Sequence, residues 1–563
     1  MTTAFHAPAI ALTITALSFL VFAGNANAQT LRVSTYGNNS NSGTTWSAAL
    51  RTVNEALDRA ETDPSIARIE VAAGTYKPGG SRTASFVLVD NVTMVGGYPP
   101  AGGGTPSPDL YPTILSGDIG VAGDSSDNSY TVVLALSVEG ARLEGFRIRN
   151  GTADLGTSGP FAHGGGIYVE HSSLVILDCR FYKNMGRFGG AVSVWSSAVT
   201  MSGCRFTDND AFSGGAIANN VHTQAGDVLV DRCWFLGNTA SSYGGAILNA
   251  SRLSLYNSVL SGNQSFSYGG AVCASASGHE TRIINCTLTN NRAAVDGGAY
   301  YGNLLGMSRV LNSICWHNTD SGPANELAPA SIGYVHHCNI EGMSTLSLSG
   351  HTNMELNPLF VDELGPDGVA GTADDNPRID RASPCVNEGD NSAVPTFAGL
   401  DIDDADRIQR PWLFLSEVVD IGANEIGPFL VQYPGSGNVV MRLLVNGMGN
   451  GIAGTDAVFV PAGSHVEAIV LTPNAGLVGL PGLVSLDPFI GSAAPAFSGL
   501  SGAHFGPGAA MVFVGLTSSQ GLSLTIPAIP TGLTGSFMMQ GLVLSPQATN
   551  GLFAGSDGRE LRF

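Results

Sequence analysis

Between Gly164 and Tyr300 the chain reads GGGI (164–167), GGAV (189–192), GGAI (214–217), GGAI (244–247), GGAV (269–272) and GGAY (297–300). The last residues of these motifs, Ile167, Val192, Ile217, Ile247, Val272 and Tyr300, are spaced 25, 25, 30, 25 and 28 residues apart. Self-similarity at such a period marks a solenoid, in which each repeat buries its apolar face by stacking on the next. The chain is therefore expected to be a stack of turns.

Each Gly pair follows a strand-like run ending in aromatic-x-x-Asn or its equivalent. These runs are FYKN (181–184), FTDN (206–209), FLGN (235–238), LSGN (260–263), LTNN (288–291) and CWHN (315–318). Stacking places Asn184, Asn209, Asn238, Asn263 and Asn291 in one column, each amide bonding its neighbour a rung away. Asn also tolerates the left-handed backbone of a tight turn. A second column, two residues ahead of the aromatic or Leu, reads Cys179, Cys204, Cys233, Ser258, Cys286, Ser313 and Cys338. Upstream, Leu174/Ile176, Val199/Met201, Val228/Val230 and Leu253/Leu255 keep strand alternation with apolar members inward. The Cys column is then an inward stack of small residues. Rungs about 4.8 Å apart are within disulfide range, with Cys179–Cys204 or Cys204–Cys233 the best bridge. Parallel stacked side chains point the same way, however, and Ser enters the column twice, so buried free thiols are expected. With no C-x-x-C pair and no partner for His336-His337-Cys338, zinc is not expected.

The combination of GGA[I/V] and FxxN resembles the polymorphic outer-membrane protein repeat over roughly residues 160–320. That resemblance implies an all-β, right-handed parallel β-helix in an exported protein. Upstream, Trp46 to Pro78 reads as a short amphipathic helix and a strand, with Trp46, Leu50, Val53 and Leu57 on one face. Such a helix would cap the open first rung. Phe86–Tyr98, Thr113–Asp118 and Leu143–Gly151 read as early, irregular rungs.

At 563 residues with 74 Gly and 12% charged residues, the chain exceeds one core and suits many short strands. Its expected organisation is a signal peptide (1–28), an N-terminal cap with irregular rungs (29–160), regular rungs (161–340), an acidic closing segment (341–427) and a C-terminal β-rich, sandwich-like domain (428–563). The apolar run Ala9–Phe22 is shorter than the roughly 20 residues of a membrane span. It precedes an A-x-A site at Ala26–Ala28, although no Lys or Arg precedes it. A cleaved signal places the protein outside the cell or on its surface, with no transmembrane helix left after cleavage. The C-terminal region ends in Phe563, as many outer-membrane barrels end in an aromatic, but holds too few strands for a translocator barrel.

The net charge of −20 argues against nucleic acid as a partner. It is concentrated: residues 359–425 carry 15 Asp and Glu against 4 Arg, a net of −11. There NPLFVD (357–362), SPCVNEGDN (383–391) and VVDIGANE (418–425) resemble the closing segment of bacterial surface β-helix proteins, sometimes labelled a choice-of-anchor domain. The resemblance implies the C-terminal end of the solenoid. Two carboxylate groups in it, Asp367, Asp374 and Asp375, and Asp401, Asp403 and Asp404, suit calcium, which takes six to eight oxygens. Solvated turns are the alternative.

Functional candidates lie outside the rungs. Phe188, Phe212, Tyr243 and Tyr268 precede successive Gly pairs as an aromatic column, able to stack on sugar rings or on the next rung. Arg180 and Arg205 fall one rung apart with no carboxylate column beside them, as solvated exterior charges would. No acid–base pair of a glycosidase or lyase recurs along the rungs; Asp118 and Asp124, in irregular turns, are the other place such a pair could sit. The expected role is a non-catalytic adhesion, display or glycan-binding scaffold whose partners are extracellular polysaccharide or cell-envelope components. The alternatives are a carbohydrate-active β-helix enzyme and an autotransporter-like outer-membrane protein.

Overall fold

The computed structural model describes residues 28–426, apart from 157, 221–225, 276–278, 303–307, 323–325, 329–333, 344–351, 381 and 409–417. Beyond 426 it describes the backbone of strands between Val440 and Arg562. But for Ala28, the expected signal peptide lies outside the described residues.

One repeat shows how a rung is made. After Gly189-Gly190 the chain forms strands Val192–Trp195, Ala198–Ser202, Arg205–Thr207 and Asp210–Ser213, then meets the next Gly pair. Each strand pairs in parallel with its counterpart in the next rung: Val192 with Ile217, Ala198 with Asp227, Arg205 with Trp234, Asp210 with Thr239. Repetition produces four parallel sheets of 8, 11, 10 and 6 strands, here the first to fourth in the order a rung visits them. The result is a parallel β-helix. Its interior holds a continuous core in which Phe181, Phe206 and Phe235 stack with centroids 4.8 and 4.7 Å apart and rings within 5° of parallel.

The two glycines of each motif have different reasons to be glycine. Gly189, Gly214, Gly244, Gly269 and Gly297 take φ between +64° and +71°, the left-handed region where a Cβ is strained. Gly190 and Gly215 lack space instead: a Cβ would come within 2.4 Å of the Asp210 carbonyl and 2.2 Å of the Gly245 carbonyl, respectively.

The N-terminal end differs from the expectation in detail. A strand at Gln29–Val33 opens the 11-stranded sheet by pairing with Ile66–Ala72. The helix runs Val53–Thr62, not from Trp46, because the Thr52 hydroxyl caps it by accepting from Glu55 N. Trp46 belongs to a separate 3-10 turn, Trp46–Ala48. Val53, Ala56, Leu57 and Ala60 are buried within the main core, and the helix lies against the first strands.

The acidic segment departs most from its expected place. One parallel bridge, Asn339 to Met354, continues the stack. The chain then doubles back along the side of the helix as a strap over the corner between the second and third sheets. Ile379, Cys385 and Ile421 pack on Ile314 and Trp316; Ala398 packs on Tyr256 and Ile284; Ile402 and Ala423 pack on Val259. These outward side chains of the rungs are apolar, and covering them removes that surface from water. The segment thus clamps several rungs laterally and does not extend the end.

Beyond residue 426, strands Val440–Val445, Val466–Leu471 and Leu522–Ile526 form an antiparallel sheet. Pro481–Phe489, Ala510–Leu516, Ser536–Leu544, Phe553–Gly555, Arg559–Arg562 and Ala457–Phe459 form another, antiparallel except between its last two.

Candidate functional site

The Asn column sits at the corner between the third and fourth sheets. Asn184 donates to Asn209 Oδ1 (3.1 Å), Asn209 to Asn238 (3.0 Å), Asn238 to Asn263 (2.9 Å), Asn263 to Asn291 (2.9 Å) and Asn291 to Asn318 (2.8 Å). Each Oδ1 also accepts the backbone N–H of the preceding Asn, as Asn238 Oδ1 does from Asn209 N at 3.1 Å. The ladder ends on Glu326, whose carboxylate accepts from both Asn318 N and Asn318 Nδ2. Burial pushes the Glu326 carboxyl well above its usual range, against these two donors. Left-handed backbone is not found at the ladder residues. It falls one residue earlier, at Lys183, Asp208, Asn290 and His317. A different column carries left-handed Asn: Asn257, Asn285 and Asn312, at the corner the strap covers.

Cys179, Cys204, Cys233 and Cys286 are buried in the core, and all eight cysteines are free thiols. The stacked side chains run parallel, so neither Cys179–Cys204 nor Cys204–Cys233 is bridged. Burial pushes the Cys286 and Cys338 thiols up to about 12.

The six candidate calcium ligands are engaged separately. Asp367 accepts from Val369 N, and Asp374 from the Thr372 hydroxyl. Asp375 accepts from Ser261 Oγ (2.7 Å) and Gly371 N (2.7 Å), tying the strap to a rung. Asp401 accepts from Asp403 N, Ala405 N and Glu425 N; Asp403 pairs with Arg378, and Asp404 with Arg232. Among the described residues no group of three or more His, Cys, Asp or Glu side chains is placed to hold a metal ion. In these two segments backbone N–H groups, hydroxyls and arginines engage at least one oxygen of each carboxylate.

The aromatic column needs one correction. Phe188 is in register with Ser213, not Phe212, and Ser213 is followed by Tyr243, Tyr268 and Asp296. Phe212 stands one residue outside the column, 47% exposed, with the Arg187 guanidinium 5.5 Å from its ring centre. Successive strand residues point to opposite sides, so a one-residue offset removes a ring from its row. The remaining rings cluster over the outer side of the first sheet. There the outward residues Tyr168, Ser193, Ala218, Leu248, Cys273 and Tyr301 form one register row. Phe188, Tyr268 and Tyr301 pack on Ala218, Leu248 and Cys273.

The seam has two aromatic groups. At one end, His163 lies 5.2 Å from Phe188 and 5.4 Å from Trp195. At the other, Tyr243 and Tyr268 stack at 6.0 Å, and Tyr268 meets Tyr301 at 4.5 Å. Between them the column narrows to Ser213, whose hydroxyl is buried without a hydrogen-bond partner. Tyr168, Trp195 and Tyr301 escaped the sequence reading although alternation marks them. The fourth residue of each motif faces the core, so the fifth and seventh face out.

The strap also buries a charge that no motif in the sequence marks. Arg407, fully buried, donates to Asn257 Oδ1 (2.9 Å), Gly422 O (2.6 Å) and Asn285 O (3.3 Å), and pairs with Glu425 (3.3 Å). Asp420 accepts from Asn387 N and Ile426 N. Burial raises Asp420 to about 6 and Glu425 to about 9, and the charge of Asp420 also raises Glu425.

Among the described residues, no helix is long and apolar enough to cross a membrane. No curated protein and no solved structure matches the chain. A family model described as a right handed beta helix region matches residues 132–314. Together with the stacked parallel sheets, that match makes the repeat region a right-handed parallel β-helix.

Proposed function

We propose that the protein is an exported, non-catalytic scaffold that binds glycan on the outer face of its first sheet. In this reading residues 1–28 are removed on export, the rungs are polymorphic-outer-membrane-type repeats, and the partner is an extracellular polysaccharide or cell-envelope glycan. The observation that carries it is the interrupted aromatic seam. Tyr243, 39% exposed, flanks the narrow place at Ser213, and Phe212 is exposed one residue outside the column. The exposed aromatic faces of Tyr243 and Phe212 suit the apolar C–H faces of a sugar. The rigid stack beneath holds these groups without a large ordering penalty on binding.

The test is titration of the purified protein with a panel of neutral and acidic polysaccharides, beside Tyr243→Ala and Phe212→Ala. Binding weakened about tenfold by Tyr243→Ala, with unchanged melting, supports the seam. Release of reducing or unsaturated ends during incubation would overturn the non-catalytic reading in favour of a carbohydrate-active enzyme.

A further inference from the structure

On the outer side of the third sheet, Arg147, Arg180 and Arg205 occupy one register position on three successive rungs. Neighbouring strands lie about 4.8 Å apart, so guanidinium-bearing side chains leave the sheet at rung intervals. Trp234 holds the fourth place. The Arg205 and Arg378 guanidinium carbons lie 5.3 and 5.1 Å from its ring centroid. Arg149 and Tyr182 form a second row two residues along the same strands.

Like charges facing each other across strands are unfavourable unless something neutralises them. Here the protein supplies little. Arg180 pairs with Asp109, a largely exposed residue of the loop between strands Thr93–Tyr98 and Thr113–Ser116, and Arg378 pairs with Asp403. Arg147 reaches the Pro108 carbonyl at 3.4 Å through Nη2. The Nε atoms of Arg147 and Arg149 are buried without hydrogen-bond partners. Burial, and then the charge of Arg180, hold Arg147 and Arg205 below the usual arginine range. From Arg147 to Arg205 the chain carries six cations (Arg147, Arg149, Arg180, Lys183, Arg187, Arg205) against three acids (Asp154, Glu170, Asp178). That is a net of +3 along this stretch of a chain of −20, before Asp109 is counted against Arg180; Arg187 lies on the fourth sheet beside Phe212.

We infer that this arginine column binds an acidic polysaccharide laid along the helix axis, its carboxylate or sulfate groups bridging successive rungs. Arginine suits the task because its planar fork grips a carboxylate or sulfate through paired N–H donors. A charged sugar polymer carries its anions singly, one or so per sugar, as a single column of arginines requires. Duplex nucleic acid carries a charge about every 1.7 Å and calls for a broad basic surface, which a strongly acidic chain does not offer. This face is separate from the aromatic seam, and the inference does not rest on it.

The experiment measures binding of polygalacturonate, dextran sulfate, neutral dextran and duplex DNA to the full chain at low and moderate salt. It compares wild type, Arg180→Ala/Arg205→Ala, the milder Arg180→Gln, and Tyr243→Ala. Expected are salt-sensitive binding of at least one acidic glycan, a loss of about tenfold or more in the double variant, a smaller loss in Arg180→Gln, and no change with Tyr243→Ala. Wild type that binds neither acidic glycan, or variants that bind as wild type does, overturn the inference. Tighter binding of DNA than of either glycan replaces it with a nucleic-acid site. Loss of neutral-glycan binding confined to Tyr243→Ala bears on the seam alone, so the two readings fail separately.

Discussion

Replacing Asn238 with Ala tests whether the Asn ladder holds the rungs together. Asn238 Nδ2 donates to Asn263 Oδ1 (2.9 Å) and Phe206 O (3.0 Å), while its Oδ1 accepts from Asn209 N (3.1 Å) and Asn209 Nδ2 (3.0 Å). All of these groups are buried. Asn209 Nδ2 keeps other acceptors at Phe181 O and Thr207 O, and Asn263 Oδ1 keeps the Asn238 N–H. Asn209 N is left with no acceptor, and the Phe206 carbonyl loses a donor. A buried polar group left unsatisfied costs about 1–3 kcal/mol. One such group, the second donor lost by the Phe206 carbonyl, which stays in the ladder with Phe235, and the space left by the amide predict a loss of roughly 2–5 kcal/mol. Thr239, the next residue, is half-exposed on the outer side of the fourth sheet, so Thr239→Ala is the control, with a change within about 0.5 kcal/mol. The assay is urea unfolding followed by circular dichroism. Because a solenoid's stability is a sum of nearest-neighbour terms, Asn238→Ala is also expected to broaden or split the transition. A loss below about 1 kcal/mol, in the range of an ordinary surface substitution, would refute the reasoning.

Three further outcomes follow from the same geometry. Glu326, Asp420 and Glu425 are all raised in the folded state, so that state binds more protons than the unfolded chain between the ordinary carboxylate range and about pH 9. Their linked stability is therefore greatest at acid pH and falls as pH rises through that window, so a melting temperature that climbs steadily from pH 5 to pH 9 would contradict it. Arg407→Ala leaves Asn285 O and Gly422 O without this buried donor, leaves Asn257 Oδ1 with the Asn285 amide only, and strips Glu425 of its ion pair. A loss of about 3–5 kcal/mol is expected, with faster proteolysis within residues 357–426 than within the rungs, and equal cleavage in both would count against the strap as a separate clamp. A thiol reagent should leave all eight cysteines untouched in the native protein and label all eight in denaturant without reductant, whereas fewer than eight would reveal a bridge.

Much of the fold was legible because a parallel stack repeats its environment. When residue i and residue i+25 occupy the same place on adjacent rungs, the residue type recurs and the period appears in the chain. Phe181 and Phe206, Asn184 and Asn209, and Cys179 and Cys204 all show it. The exterior was less legible. An aromatic near a Gly pair, such as Phe212, looks equivalent to Phe188, but one residue decides the row, and Ser213 occupies it. In the acidic clusters composition shows the carboxylates but not their partners, such as the Ser261 hydroxyl on Asp375 or Arg378 on Asp403.

The sequence by itself determined the rung, its period, the inward columns and the two glycines of each turn. All of these follow from contacts between one rung and the next, which translation along the axis repeats. Tertiary structure alone decided where the strap lies and how the arginines are counter-charged. Arg407 meets Asn257 across 150 residues and Asp375 meets Ser261 across 114. Such contacts occur once each, so they leave no period in the chain. They form because strap and rungs share apolar surface and complementary hydrogen-bonding groups, which only the folded stack brings together.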